Sequence, residues 1–222
     1  RDSGGLMDFL INPYRFAPAL PMCGEVVTMV KQTQSYGGSI VGDGMPQSGP
    51  AVTSKADFIA SLQSYVLADL NHVAASTGID YDSTTKLTMF GGAGQLYAET
   101  TTNLYSRVLS PAVSGANGRF NASANVAGNW YETSQPCIID LTGSYTAFGF
   151  YCMDMGDFGA NVTVQFFQGA TLLGTVSLPT IAIDKPGSSE AMWVGYYDGN
   201  RPFNKIKISV EQTTEDPDFF DV

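Results

Sequence analysis

Alternation of apolar and polar residues late in the chain constrains the fold most strongly. Val162, Val164 and Phe166 alternate with Asn, Thr and Gln, and residues 205–210 repeat the pattern with Ile206 and Ile208 among the lysines. A period of two places one set of side chains on each face of a strand. One buried and one solvated face is typical of antiparallel sheets. These segments therefore predict a half-buried antiparallel sheet.

Other segments rich in Thr, Tyr and Val are separated by glycines or polar turns. The predicted strands are 87–90, 95–101, 104–108, 136–141, 147–153, 161–167, 171–178, 191–196 and 205–210. Short strands with turn signals about every ten residues predict an antiparallel β-sandwich, jelly-roll-like in character. Strands and helices do not alternate, so a doubly wound parallel sheet is excluded.

The first fifty residues predict an extended arm ending in a linker. Prolines 13, 18 and 21 exclude a continuous helix or a central strand there, and residues 37–50 are rich in Gly, Pro and Ser. The arm lies on a partner or on its own domain, which spans 51–222. Residues 54–75 predict the one helix, with Ser54 as N-cap and Gly78 as the stop. The segment around Tyr65 and Val66 also suits a strand.

Charge excludes two classes of partner. The chain has 11 Lys plus Arg against 21 Asp plus Glu, a net charge of −10. Phosphate groups repel such a chain, so nucleic acids and anionic membranes are not expected partners. Charged residues form only 14% of the sequence, which suits a β-rich protein working outside the cytoplasm and packed homo-oligomers.

The cysteine count excludes a disulfide scaffold. Cys23, Cys137 and Cys152 are the three cysteines, and no CxxC pair indicates zinc. Cys137 and Cys152 flank a predicted hairpin, so one disulfide between them is conceivable. Two buried free thiols are the favoured alternative.

A series of motifs lies between residues 86 and 222. It contains Gly118-Arg-Phe-Asn121, Ala147-Phe-Gly-Phe-Tyr151, Asp154-Met-Gly-Asp-Phe-Gly159 and Trp193-Val-Gly-Tyr196. The series resembles β-sandwich domains of phage virion structural proteins and of secreted bacterial proteins with C-terminal sorting signals. It departs from them at Cys152 and Met153 and in its incomplete closing Asp pair. The segment Ile11-Asn-Pro-Tyr-Arg-Phe16 is similar to the openings of many phage virion proteins.

The resemblance implies a setting. We expect a non-enzymatic structural protein of the virion surface, in a capsid decoration, tail fibre or spike. The arm would bind neighbouring virion subunits, and the sandwich would face outward for host attachment. The alternative is a secreted, extracellular carbohydrate-binding module.

Aromatic and polar side chains suggest a glycan platform. Sugar CH groups stack on aromatic faces, and nearby carboxylates and amides bind hydroxyls. The candidate residues are Trp130, Tyr131, Tyr196, Tyr197, Asp198 and Asn200. The competing interpretation places Trp130 and Trp193 in the core, with the tyrosines at its rim.

Acidic residues suggest a calcium site. Asp154 and Asp157 flank a glycine, as in turns whose carboxylates bind a hard cation, and Asp218 and Asp221 could bring further oxygens. The competing interpretation is that Asp154 and Asp157 cap a turn. No other cofactor is indicated.

Catalysis has little support in the sequence. His72 is the only histidine, and no GxSxG motif is present, so a triad would have to use it. His72 is expected on a helix surface or as a packing residue whose hydrogen bonds are satisfied. A glycosidase needs two carboxylates across a cleft, and no pattern singles out such a pair among the acids.

Overall fold

The computed structural model describes residues 9–13, 50–62, 64–68, 70, 72–100, 105–110, 129–133, 135–152, 161–178, 192–211 and 220–221. These residues form antiparallel strands and one α-helix, which confirms the mainly β class. The strands are β1 (Phe9–Pro13), β2 (Val66–Ala68), β3 (Leu87–Met89), β4 (Gly94–Ala98), β5 (Ser106–Leu109), β6 (Trp130–Thr133), β7 (Cys137–Cys152), β8 (Asn161–Gln168), β9 (Thr171–Leu178), β10 (Met192–Tyr197), β11 (Phe203–Glu211) and β12 (Phe220–Asp221). The helix α1 is Pro50–Ala60, and Phe90–Gly92 form a 3₁₀ turn.

Strand β7 joins two layers. Its first part, 137–141, pairs with β4 and β11, and its last part, 147–152, pairs with β1 and β10. The register against β11 passes from Asp140 opposite Lys205 to Tyr145 opposite Phe203, so β7 carries extra residues at 141–144. Extra residues bend a strand. The front layer is therefore β3-β4-β7-β11-β8-β9, and the back layer is β2-β1-β7-β10.

Aromatic side chains fill the space between the layers. Phe166 of β8 stacks on Tyr196 of β10, with ring centroids 3.8 Å apart and planes 15° from parallel. Phe166 also contacts Phe203 at 5.0 Å and Phe148 of β7 at 6.4 Å. Val162 and Val164 are buried beside it, as their alternation predicted. Contact between the layers makes the arrangement sandwich-like.

Two opposed glycines shape the outer face of the back layer. Gly149 of β7 lies directly opposite Gly195 of β10. A Cβ on Gly149 would stand 2.5 Å from Trp193, and a Cβ on Gly195 would stand 2.7 Å from Phe58 of α1. Trp193 also packs edge-on against Tyr151. Gly149 and Gly195 leave room for the rings of Trp193 and Phe58, so helix α1 can cover this face.

The two layers form one nine-stranded sheet, and a second, three-stranded sheet has the order β12-β6-β5. Residues 130–133 of its central strand were not predicted as a strand. Val108 of β5 and Tyr131 of β6 lie directly opposite each other and belong to the main core. The other face of this sheet carries Arg107 and Glu132, which are also directly opposite.

The predicted helix over 54–75 is wrong in its bounds. The helix starts earlier, at Pro50, where a proline loses no helical hydrogen bond. It ends at Ala60, and the Ser61 hydroxyl donates to the Phe58 carbonyl oxygen at 2.6 Å. Residues 66–68 pair with β1 instead, as the strand alternative allowed. No helix among the described residues has the length and hydropathy to cross a membrane.

The hairpin predicted between residues 141 and 147 is also wrong. Thr142, Gly143 and Ser144 form the bend of one continuous strand, so Cys137 and Cys152 stand at its opposite ends. Cys137 is a free, buried thiol opposite Ile208. The conceivable disulfide between Cys137 and Cys152 is therefore not formed, because Cys137 is a free thiol.

The N-terminal arm contributes a strand to the sandwich. Residues 9–13 pair with β2 on one side and β7 on the other, and Ile11 is fully buried. The expectation that no central strand forms here is wrong, because the strand ends at its proline and the register shifts there. Residues 14–49, with the rest of the predicted arm and linker, lie outside the described residues.

Burial predicts an unreactive thiol at Cys137. Desolvation raises its pKa to about 12, so the nucleophilic thiolate is scarce at neutral pH. In a Cys23→Ser, Cys152→Ser variant, a thiol reagent at pH 8 should label Cys137 only after denaturation. Rapid labelling of the folded variant would contradict this burial.

Candidate functional site

The end of β10 and the turn that leads to β11 hold four of the six residues predicted as a glycan platform, namely Tyr196, Tyr197, Asp198 and Asn200. Asp198 is buried and accepts hydrogen bonds from the backbone N–H groups of Asn200 and Arg201, at 3.0 and 3.1 Å. The Arg201 Nε donates to it at 2.6 Å. Such bonds are typical of an aspartate that closes a turn. The Asp198 carboxylate therefore stabilises the turn between β10 and β11.

Tyr196 faces the core. Its ring stacks on Phe166, and burial, followed by the charge of Asp198, raises its pKa to about 12. Tyr197 points the opposite way and is 36% exposed, and Asn200 is exposed beside it. Of the predicted platform, Tyr197 and Asn200 are thus the exposed members at this turn.

Trp130 and Tyr131 lie on the central strand of the small sheet and are both buried. The Tyr131 and Ser106 hydroxyls form a short hydrogen bond, and burial holds the Tyr131 pKa well above its usual range. No described contact joins these two residues to the turn between β10 and β11. A single open platform of the six predicted residues is therefore wrong, since Trp130, Tyr131 and Tyr196 have no exposed ring face.

A row of charged residues crosses the small sheet. Arg107 of β5 donates to both carboxylate oxygens of Asp80, from Nε at 2.7 Å and from the second nitrogen at 3.1 Å. Hydrogen bonding to Asp80 raises the pKa of Arg107. Glu132 lies opposite Arg107 and is completely buried, yet neither of its oxygens has a hydrogen-bond partner. The Trp130 indole N–H, two residues before it, also has none.

A second charged group covers the outer face of the front layer. Tyr97 donates its hydroxyl to Asp140 at 2.6 Å, and Lys86 and Lys205 lie 3.9 and 3.7 Å from the same carboxylate. Burial, with Asp140 second, raises the pKa of Tyr97 well above its usual range. Asp140 therefore balances two lysines and ties β4, β7 and β11 together, with Lys86 directly before β3.

Most of the predicted calcium residues lie outside the part of the chain that the structure describes. Asp154, Asp157 and Asp218 lie outside the described residues, while Asp221 belongs to β12 and stands opposite Glu132. Among the residues whose side chains the structure describes, no three His, Cys, Asp or Glu side chains form a metal-binding group. Calcium binding at the predicted residues stays a prediction.

His72 occupies an exposed turn rather than the predicted helix surface. The helix ends twelve residues earlier, at Ala60. Asp82 caps the nearby turn at residues 82–85, where its Oδ1 accepts from the backbone N–H groups of Thr84 and Thr85 at 2.7 and 2.8 Å. The Thr84 hydroxyl donates to the same oxygen at 2.7 Å, and this hydrogen bond, followed by the two backbone ones, lowers the pKa of Asp82. This region therefore holds turn-stabilising contacts.

An apolar edge strand is the clearest exposed surface. Strand β2 ends the back layer and pairs with β1 alone among the described strands. Tyr65, Val66 and Leu67 are 43%, 39% and 44% exposed. Apolar side chains and unpaired backbone groups at a sheet edge form a surface for pairing with another chain.

Sequence reasoning missed this edge and the charged row. Tyr65 and Val66 were noticed as strand formers, but their exposure depends on β1, which was assigned to a separate arm. Trp130 and Glu132 are two residues apart, as side chains on one face of a strand are, but in so short a segment this spacing indicates a strand only weakly. Arg107 gave no signal, since its partner Asp80 is 27 residues away.

Comparisons with family models, with curated proteins and with solved structures find no match to this chain. The resemblance to virion and secreted β-sandwich domains therefore stays a prediction from the motifs.

Proposed function

We propose that this chain is a structural subunit of a phage virion surface, acting in a decoration, fibre or spike without enzymatic activity. The observation that carries the proposal is the apolar edge at Tyr65, Val66 and Leu67. A subunit that assembles needs a surface that association buries, and this edge supplies both apolar side chains and backbone groups. The motif resemblance supplies the virion setting.

The partner at this edge is a second copy of the chain. Residues 64–68 read Ser-Tyr-Val-Leu-Ala and contain no charge. Two copies of a chain with a net charge of −10 repel each other. A contact between the copies is therefore favoured at a surface where no acidic side chain faces another. Pairing of β2 with its copy would extend the back layer across two subunits.

The acidic residues with described contacts support a non-enzymatic role. Asp198 closes the turn between β10 and β11, Asp82 caps its turn, Asp80 binds Arg107, and Asp140 binds Tyr97. Each carboxylate accepts hydrogen bonds that hold strands or turns. General acid or base catalysis needs a carboxylate free to reach a substrate.

Charge at the β2 edge should prevent assembly. We expect the wild-type chain to form a discrete oligomer and Leu67→Lys to stay monomeric, because the ammonium group would be buried between copies. Light scattering behind size exclusion, over a hundredfold range of concentration, measures both masses.

Leu172→Lys is the matched control. Leu172 is 49% exposed on β9, the edge strand of the front layer, and this variant should assemble like the wild type. A monomeric wild type at every concentration, or equal assembly of the two variants, would contradict a β2 contact.

Host-glycan attachment at the outward surface remains part of the proposal, and a secreted carbohydrate-binding module is its alternative. Tyr197 and Asn200 are the predicted residues whose exposure allows it. Polysaccharide affinity in a stable monomer would favour the alternative.

A further inference from the structure

Three aromatic rings lie together where helix α1 covers the outer face of the back layer. The rings of Tyr151 and Trp193 meet edge to face, with centroids 4.9 Å apart and planes at 72°. Phe58 of α1 adds a third ring, 6.0 Å from Trp193. The Lys55 Nζ lies 5.2 Å from the centre of the Tyr151 ring and 5.8 Å from that of Trp193. These three rings are called the aromatic box below.

The aromatic box has the construction of a cation-binding site. The face of an aromatic ring carries partial negative charge, so it attracts an ammonium group within about 6 Å of its centre. This attraction is stronger where water is excluded, and Tyr151, Trp193 and Phe58 are each at most 3% exposed. Two rings at a steep angle attract one cation from two sides, as they do with the Lys55 ammonium.

Lys55 is an occupant that a ligand can displace. Its side chain is half-buried, so solvent reaches the residue that fills the aromatic box. A lysine ammonium is a strongly hydrated group on a flexible four-carbon stem, and it regains hydration when it leaves the rings. A quaternary ammonium group loses less hydration on entering an aromatic site, so it competes well with a lysine.

The indole N–H of Trp193 adds a second requirement. This N–H is buried and has no hydrogen-bond partner, and an unpaired buried donor is unfavourable unless something binds it. Trp193 therefore offers its ring to a cation and its N–H to an oxygen acceptor. Choline has both groups, since its oxygen lies two carbons from the trimethylammonium nitrogen. The net charge of −10 also favours a cationic ligand.

We propose that the aromatic box binds a quaternary ammonium group of the choline type, and that Lys55 occupies the box until this ligand displaces it. The proposed function does not require this site, which lies on α1 and the outer face of the back layer. Free choline and choline carried by a surface polymer present the same trimethylammonium group, so the box recognises the group in either form.

Calorimetric titration with choline tests the site. Lys55→Ala should bind choline at least about tenfold more tightly than the wild type, because the competing ammonium is gone. Lys86→Ala is the matched control. It removes the same charge and another contact of this kind, since the Lys86 Nζ lies 4.2 Å from the centre of the Tyr97 ring on the front layer. Its affinity for choline should equal that of the wild type.

Two further ligands need no variant. The uncharged carbon isostere of choline, with a tert-butyl group in place of trimethylammonium, should bind the wild type at least about tenfold more weakly, because the rings attract charge. Glycerophosphocholine distinguishes the sources of the group. Its binding alongside choline identifies a group that a polymer can carry, and binding of choline alone identifies a free ligand.

Three results would overturn the proposal. They are equal affinities for choline and its carbon isostere, equal affinities of Lys55→Ala and Lys86→Ala for choline, and the absence of choline binding to Lys55→Ala. None of these results bears on the β2 contact, which is read from the oligomer mass.

Discussion

Gly149→Ala should lower the free energy of unfolding by about 3 kcal/mol, because overpacking of a rigid site has costs of this size. The new methyl group would stand 2.5 Å from Trp193 Cζ2 and 3.2 Å from the Val194 carbonyl oxygen. Trp193 has little room to move, since Tyr151 packs on its edge and Phe58 lies 6.0 Å away. Chemical denaturation followed by tryptophan fluorescence measures the loss.

Gly174→Ala is the matched control in another strand. Its Cβ would meet only the Tyr196 hydroxyl, at 3.9 Å. The free energy of unfolding should then change by less than about 0.5 kcal/mol. Equal effects of the two substitutions would mean that the Gly149–Trp193 contact does not constrain the back layer.

Phe166→Ala should cost about 3–5 kcal/mol, the range for deletion of a buried aromatic side chain. Phe166 is 1% exposed and stacks on Tyr196, with Phe203 and Phe148 at its sides. Its removal leaves a cavity between the two layers, and both layers lose contacts. Urea denaturation gives the difference in free energy.

Phe167→Ala is the matched control. It shows whether the cost of Phe166→Ala comes from burial between the layers or from the loss of any phenylalanine. Phe167 follows Phe166 directly and is half-buried on the opposite face of β8. Its replacement should cost about 1 kcal/mol, since less apolar area is involved. A cost equal to that of Phe166→Ala would show that the layers do not meet at β8.

The motif that suggested a known family has a packing explanation. In residues 147–151, Phe148 and Phe150 face the core, while Gly149 leaves room for Trp193. In residues 193–196, Val194 and Tyr196 face the core, and Gly195 leaves room for Phe58. The two motifs pair in register, so they specify the back layer of the fold.

The local sequence was sufficient to predict the strands that have one buried and one solvated face. The alternation in 161–167 and 205–210 predicted β8 and β11 with their buried faces, because a period of two needs no knowledge of the partner strand. Thr171–Leu178 was predicted with the bounds it has in the structure. The acidic composition is likewise known from the sequence alone, because it does not depend on which residues are in contact.

Tertiary structure decided the rest, because the outcome depended on residues far apart in the chain. Thr142-Gly143-Ser144 could form a turn or a bend, and pairing of β7 with four other strands makes it a bend. The proline-ended segment 9–13 became a central strand because β2 and β7 flank it. Trp130 and Tyr131 became buried, and Glu132 lost its contact with water, through packing of the small sheet. Burial is a property of the assembled layers, and it separates the exposed edge at Leu67 from the enclosed carboxylate at Glu132.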